Sequence, residues 1–350
     1  MIFSVYYRNR TMKIALNYYD EVRGNMINSS NISIIIQGHI SEQYTPKCLA
    51  SIRHLLPQAE IIVSTTDEIC EVDLDCDIFV QSPDPGAELI DRKNKVYNNI
   101  NRQIVSTKAG LARATRPFSL KFRTDIALDG IEWLDYFGKY DEICPATFFK
   151  NRVLICDYYT RNPRIVPVPF HPSDWIMFGL TEDLKQYYDL ELQDKDEILW
   201  FDRFPKTNSI FSHMRSRYTP EQYLCIQYLK RFKNLEIQNY YDASKQNIEE
   251  TERFFAENMV ILDYGKQLEI TFQKYHPNRY KEAYSLLHHK DWITLFNHYC
   301  KKRRILFWTF YRCKCKMTHI IFMGVRKHVV ELLNVLHLKE PLKRILRGRS

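Results

Sequence analysis

The chain has 350 residues, 26% of them charged and 45% hydrophobic, with only 10 glycines. That is enough to bury a large core. It excludes a low-complexity or collagen-like chain, and no internal repeat is present. The net charge of +8 is unevenly placed: residues 301–350 hold 14 Lys and Arg against two acids, Glu331 and Glu340, leaving 36 basic and 40 acidic residues in the other 300.

The elements follow in chain order. Residues 1–30 carry a weak helical pattern ending in the polar run Asn28-Ser29-Ser30-Asn31, a leader and linker. No basic region followed by an apolar core opens the chain, so no secretory signal is expected. Nine scattered cysteines, an odd number, fit reduced thiols in a cytosolic compartment. Ile32 to Ile36 is a continuous apolar run, the mark of a buried parallel strand, and Gln37-Gly38-His39 follows it as a turn. A helix is expected over Cys48 to Leu56, closed by Pro57. Strands follow over Glu60 to Thr65, with Asp67 just past the end, and over Asp77 to Val80, before the turn Pro83-Asp84-Pro85-Gly86. A helix from Asn101 to Thr115 leads into the strand Leu120 to Asp125. Strand, helix, strand and an Asp at the carboxyl end is where open α/β sheets place ligand chemistry.

Beyond Asp125, strands are expected over Asn151 to Tyr158 and Trp175 to Gly179, separated by the rigid stretches Arg161-Asn162-Pro163 and Pro167-Val168-Pro169. A helix capped near Thr181 follows, then one running to Phe232 with Thr219 as N-cap and Pro220 at the first helical position. From about residue 250 only helical patterns appear. In the tail, Leu306, Phe310, Cys313, Met317, Ile320, Gly324, Leu332 and Leu336 recur at helical spacing, with basic residues on the opposite face. Arg312, Lys314 and Lys316 interrupt the apolar stretch from Ile305 to Val325, so a membrane span is not expected there. The pattern divides the chain into a leader (1–30), an α/β domain (31–250) and a basic helical extension (251–350).

Several short motifs occur together over about 200 residues. They are Ile-Gln-Gly at 36–38, Cys-Leu-Ala-Ser-Ile-Arg at 48–53, Ala-Glu-Ile-Ile-Val-Ser-Thr at 59–65, Asp-Pro-Gly-Ala at 84–87 and Asn-Arg-Gln-Ile-Val-Ser-Thr at 101–107. Arg-Thr-Asp at 123–125, Tyr-Thr-Arg-Asn-Pro at 159–163, Phe-His-Pro-Ser-Asp-Trp at 170–175 and Pro-Glu-Gln-Tyr at 220–223 complete the set. As a set they resemble the WavE lipopolysaccharide-synthesis family of bacterial surface-glycan proteins. The resemblance implies a GT-A-like, Rossmann-like fold with a mostly parallel sheet. It also implies a glycosyltransferase taking a nucleotide-sugar donor to a lipopolysaccharide or capsular glycan acceptor.

GT-A enzymes usually present Asp-X-Asp at the end of the central strand, where the carboxylates hold Mn²⁺ or Mg²⁺ against the leaving nucleoside diphosphate. Here Arg123 stands in the first acidic place and Asp125 in the second, so Asp125 is the expected metal ligand. Arg123 is either a phosphate contact or the partner of Asp125 in a structural ion pair. Gln37, Gly38, Asp67, Asn101 and Arg102 are candidates for the nucleotide pocket; Asn101 would equally serve as a helix cap, and Gly38 as a turn glycine. A base for the acceptor hydroxyl is sought in Asp174, beside Trp175, and then in His171 and Glu221. A buried imidazole and a first-turn helix acid are the plain alternatives for those two.

His298, Cys300, Cys313, Cys315 and His319 lack paired zinc-ligand spacing, and no Gly-x-Ser-x-Gly elbow is present. A nucleotidyltransferase would need a glycine-rich loop after the first strand, and Gln37-Gly38-His39-Ile40 is a poor one. The tail aromatics Phe307, Trp308, Phe310 and Tyr311 cluster beside the basic run, which favours an anionic membrane surface over nucleic acid as the partner of residues 302–350. The expected location is the cytoplasmic face of the inner membrane.

Overall fold

The computed structural model describes residues 27–68, 73–91, 95–206, 211, 214–274, 283–302 and 305–325. The leader up to residue 26 and the tail from 326 onward, with Leu332 and Leu336, lie outside these. In chain order the strands are β1 (Ile32–Gln37), β2 (Glu60–Thr65), β3 (Ile78–Gln81), β4 (Glu88–Asp91), β5 (Val96–Asn98), β6 (Phe118–Arg123), β7 (Ile126–Leu128), β8 (Val153–Cys156), β9 (Met177–Leu180), β10 (Met259–Leu262) and β11 (Ile270–Phe272). The helices are α1 (Thr45–Leu55), α2 (Ile100–Arg113), α3 (Thr181–Tyr188), α4 (Lys195–Ile198), α5 (Trp200–Arg203), α6 (Pro220–Lys230), α7 (Lys245–Asn258), α8 (His289–Tyr299) and α9 (Ile305–Ile320).

Every residue of β1 is buried, because helices cover both faces of the sheet at its centre; this is why the sequence there shows no polar alternation. The main sheet has seven strands in the order β10-β8-β9-β6-β1-β2-β3. Its pairings are parallel except at β9, which runs antiparallel to both β6 and β8. This is the mixed α/β, GT-A-like sheet expected. The chain winds outward from β1 through β2 to β3, then returns to place β6 on the other side of β1. The β1/β6 boundary is therefore a topological switch point, where a crevice opens at the carboxyl ends of the strands. Helix α2 lies close on this centre: a Cβ on Gly110 would come within 2.6 Å of Ile35 Cγ2.

Local chemistry explains several boundaries. Helix α6 starts at Pro220 with a full capping box, in which Thr219 Oγ1 accepts from Gln222 N–H and the Gln222 side chain accepts from Thr219 N–H. Thr181 is instead the first residue of α3, and its hydroxyl donates to the Arg116 carbonyl rather than capping the helix. The expectation of helix alone beyond residue 250 is corrected by two strands. Met259-Val260-Ile261-Leu262 forms the sheet edge beside β8, and β11 pairs antiparallel with β7. A four-residue apolar run directly after a helix has no period of its own to reveal a strand.

Helix α9 packs on the domain by one side only. Tyr311 and Cys315 face inward, and Asn162 Nδ2 donates to both. Leu306, Phe310, Met317 and Ile320, part of the apolar stripe expected to meet a membrane surface, are exposed. Lys314 pairs with Asp291 of α8 at 2.8 Å. No helix among the described residues is long and apolar enough to cross a membrane.

Candidate active site

At the switch point the strand ends enclose a cleft of about 780 Å³. Gln37, Gly38 and His39 leave β1, Asp67 follows β2, and Arg123, Thr124 and Asp125 leave β6, so three adjacent parallel strands supply its floor. Gly38 has φ +138°, and a Cβ there would meet Thr124 Oγ1 at 3.0 Å, so this turn requires glycine. Thr124 Oγ1 donates to the His39 carbonyl at 2.8 Å, tying the exits of β1 and β6 together. Asp67 accepts from Ile40 N–H at 2.7 Å and lies 2.8 Å from His39 Nδ1, which fixes the loop after β1.

Two arginine forks stand in the cleft. Arg123 donates through Nε and Nη2 to the two oxygens of Asp125, at 2.8 and 2.7 Å, with its guanidinium carbon 4.3 Å from the Trp175 ring centroid. Arg102 donates to both oxygens of Asp84, at 2.8 and 2.6 Å, and to Asn99 Oδ1. These bonds hold the Asp84 carboxyl below its ordinary range. Tyr159 stacks on Trp175 at 5.4 Å and holds φ +69°, a backbone state uncommon for a bulky residue. Gln103 Nε2, buried in the wall, makes no hydrogen bond among the described residues.

Deeper in the cleft, Lys121 projects from the middle of β6 and donates to the Asp174 carbonyl. Burial pulls its pKa down to about 8, against the pull of Asp174, Asp125 and Glu221. Burial and the neighbouring Asp174 charge push Glu221 up to about 8, so Glu221 keeps its proton at neutral pH. The helix-start acid therefore also faces the cleft.

The structure brings Gln37, Gly38, Asp67, Arg102, Arg123, Asp125, Asp174 and Glu221 to the cleft lining. His171 and Asn101 are not part of that lining. His171 lies behind it, its Nε2 3.5 Å from Glu221 Oε2, with burial and Arg161 driving its pKa to about 3. Asn101 exchanges two hydrogen bonds with the Gln193 backbone, and the N-cap position of α2 is Asn99. Asp174 lies three residues before β9 rather than at its start.

Sequence reasoning assigned no role to Lys121, Asp84 or Gln103, although Asp84 and Gln103 lie in quoted motifs and Lys121 in the strand leading to Asp125. A lysine inside an otherwise apolar central strand was the available signal. A second group went unseen. Asp157 and Asp263 follow the neighbouring strands β8 and β10, and with His288 their ligand atoms lie within 4.8 Å of one another, so the three could hold a metal ion. Without one, His288 Nδ1 is 2.9 Å from Asp157 Oδ2, Tyr264 N–H donates to Asp157, and His289 N–H donates to Asp263. Burial pushes the Asp263 carboxyl upward, but the bonds from His288, His289 and Lys266 outweigh it and hold it well below its usual range.

The profile of a family described as WavE lipopolysaccharide synthesis matches residues 32–321. The chain belongs to that family. The WavE match runs from β1 through α9, so the cleft, the edge strand β10 and the C-terminal helices all fall within the shared unit. A search of curated proteins found no match.

Proposed function

We propose that the chain is a glycosyltransferase that binds a nucleotide-sugar donor in the cleft and transfers the sugar to a lipopolysaccharide or capsular glycan acceptor. The supporting observation is the placing of Gln37, Asp67, Arg123 and Asp125 around one cleft at the β1/β6 switch point, in a chain of a lipopolysaccharide-synthesis family. Gln103, Arg102 and Asp67 would receive the nucleotide, and the stacked Tyr159 and Trp175 offer faces for a sugar ring. In the transfer, the anomeric carbon–oxygen bond to the phosphate breaks with its electron pair leaving on that oxygen. A new bond forms from the acceptor oxygen, and the hydroxyl proton passes to Asp174. Glu221, which holds its own proton at neutral pH, is the poorer acceptor for it.

The test is a thermal-shift screen of nucleotide sugars against the full chain. One donor class should raise the melting temperature in proportion to the logarithm of its concentration. If no donor shifts it, the proposal fails.

The acceptor would be lipid-linked, with the protein seated on the inner membrane face through α9. The exposed stripe Leu306, Phe310, Met317 and Ile320, with Arg312 and Lys316 on the same helix, supports this. Phe310→Asp with Met317→Asp should abolish sedimentation with anionic vesicles while the melting temperature stays unchanged. Persistent sedimentation would remove α9 as the seat.

A further inference from the structure

A divalent cation at the end of the central strand is what the GT-A comparison implies, and the residues present do not fit it. Both oxygens of Asp125 already accept charge-assisted bonds from one guanidinium, at 2.8 and 2.7 Å. A cation ligated there would have to displace that fork and then sit against its positive charge. The fork is itself held from two sides, by Asp125 and by the face of Trp175 at 4.3 Å. Its side chain remains 30% exposed to the cleft, whereas Asp125 is 11% exposed. Residues 121 and 123 share a face of β6, since side chains alternate along a strand, and the turn after Arg123 brings Asp125 to the same side, where it meets the Arg123 fork. Lys121 and Arg123 thus project into one space, with the carboxylates of Asp174 and Glu221 beside them.

The geometry points to a site without a divalent cation at Asp125: Arg123, oriented by Asp125 and Trp175, binds the donor's phosphates and balances the charge of the leaving nucleoside phosphate. This rests on the glycosyltransferase reading above. Asp125 is then a positioning residue that acts through Arg123. Lys121 adds a second buried donor on the same side. The electron pair released with the leaving oxygen is met by fixed N–H groups, which need no reorganisation as charge develops.

The experiment is isothermal titration of the full chain with UDP, GDP, ADP, dTDP and CMP, once in EDTA and once in Mn²⁺. The nucleotide that binds should do so with affinities within about twofold in the two buffers. Arg123→Lys keeps the charge but loses the fork, and should weaken binding in EDTA by about tenfold or more. Asp125→Asn should weaken it in EDTA as well, because the fork loses its charged partner. Binding that appears only with Mn²⁺ overturns the inference and leaves the glycosyltransferase reading intact. So does a Mn²⁺ paramagnetic-resonance signal of bound ion that vanishes in Asp125→Asn. Absence of binding in both buffers overturns both. The comparison of buffers uses the unaltered protein, so it decides the matter even where a variant fails to fold.

Discussion

Two sets of carboxylates follow apolar strands in this sheet, and they serve different ends. Asp125, beyond β6, opens on the cleft and holds an arginine fork there. Asp157 and Asp263, beyond β8 and β10, turn onto His288 and the start of α8. In sequence the two signals look alike: an acid just past a short apolar run. Their place in the strand order separates them. β6 flanks the switch point, where connections diverge and leave a crevice. β8 and β10 lie at the far edge, where the segment leading into α8 folds over the strand ends; Asn162 N–H donates to Ser285 and Leu287 N–H to Thr160. A strand-end acid thus faces the cleft only where the topology keeps its end open.

That contrast can be broken by substitution. The largest effect is expected for Asp174→Asn: turnover should fall by about two to four orders of magnitude with donor affinity nearly unchanged, as for loss of a general base. A comparable loss in Glu221→Gln with Asp174→Asn near normal would move the base to Glu221. Next, Asp263→Asn should destabilise the fold by about 2–3 kcal/mol, because the charge-assisted bonds from His288 and His289 N–H weaken together, while nucleotide affinity of the folded protein stays unchanged. Urea unfolding and titration on the same sample check both halves. Asp125→Asn should do the reverse, melting near the unaltered protein while losing transfer. Equal loss of stability in the two variants would erase the distinction between the two sets.

The smallest effect concerns pH. Glu221 releases its proton near 4.5 when unfolded and near 8 when folded, so the folded state binds more protons across that window. Stability therefore falls as pH rises from about 4.5 to about 8 and is level above it. Glu221→Gln removes the titrating carboxyl. It should match the unaltered protein's melting temperature at pH 4.5 and exceed it at pH 8. A gain independent of pH would show that burial of this carboxyl carries no charge penalty.

Much of this was legible locally. β1 and β2 announce themselves as β-branched apolar runs, the capping box marks α6 within four residues, and Asp67 and Asp125 stand where strands must end. Such patterns are dictated by periods of 2 and 3.6 and by bonds between near neighbours, so a linear reading suffices. What only the tertiary structure decided depends on groups far apart in sequence. Arg123 and Asp125 are close in the chain, yet the choice between a closed ion pair and a cleft-facing fork is made by Trp175, fifty residues on. The proton on Glu221 follows from burial beside Asp174, and the lowered pKa of Lys121 from burial that outweighs the pull of Asp174. The inward face of α9 is the one that meets Asn162, some 150 residues away, and this leaves the apolar stripe at Leu306, Phe310, Met317 and Ile320 exposed. Helical periodicity shows that a helix has faces, and only the surface it meets determines which of them is buried.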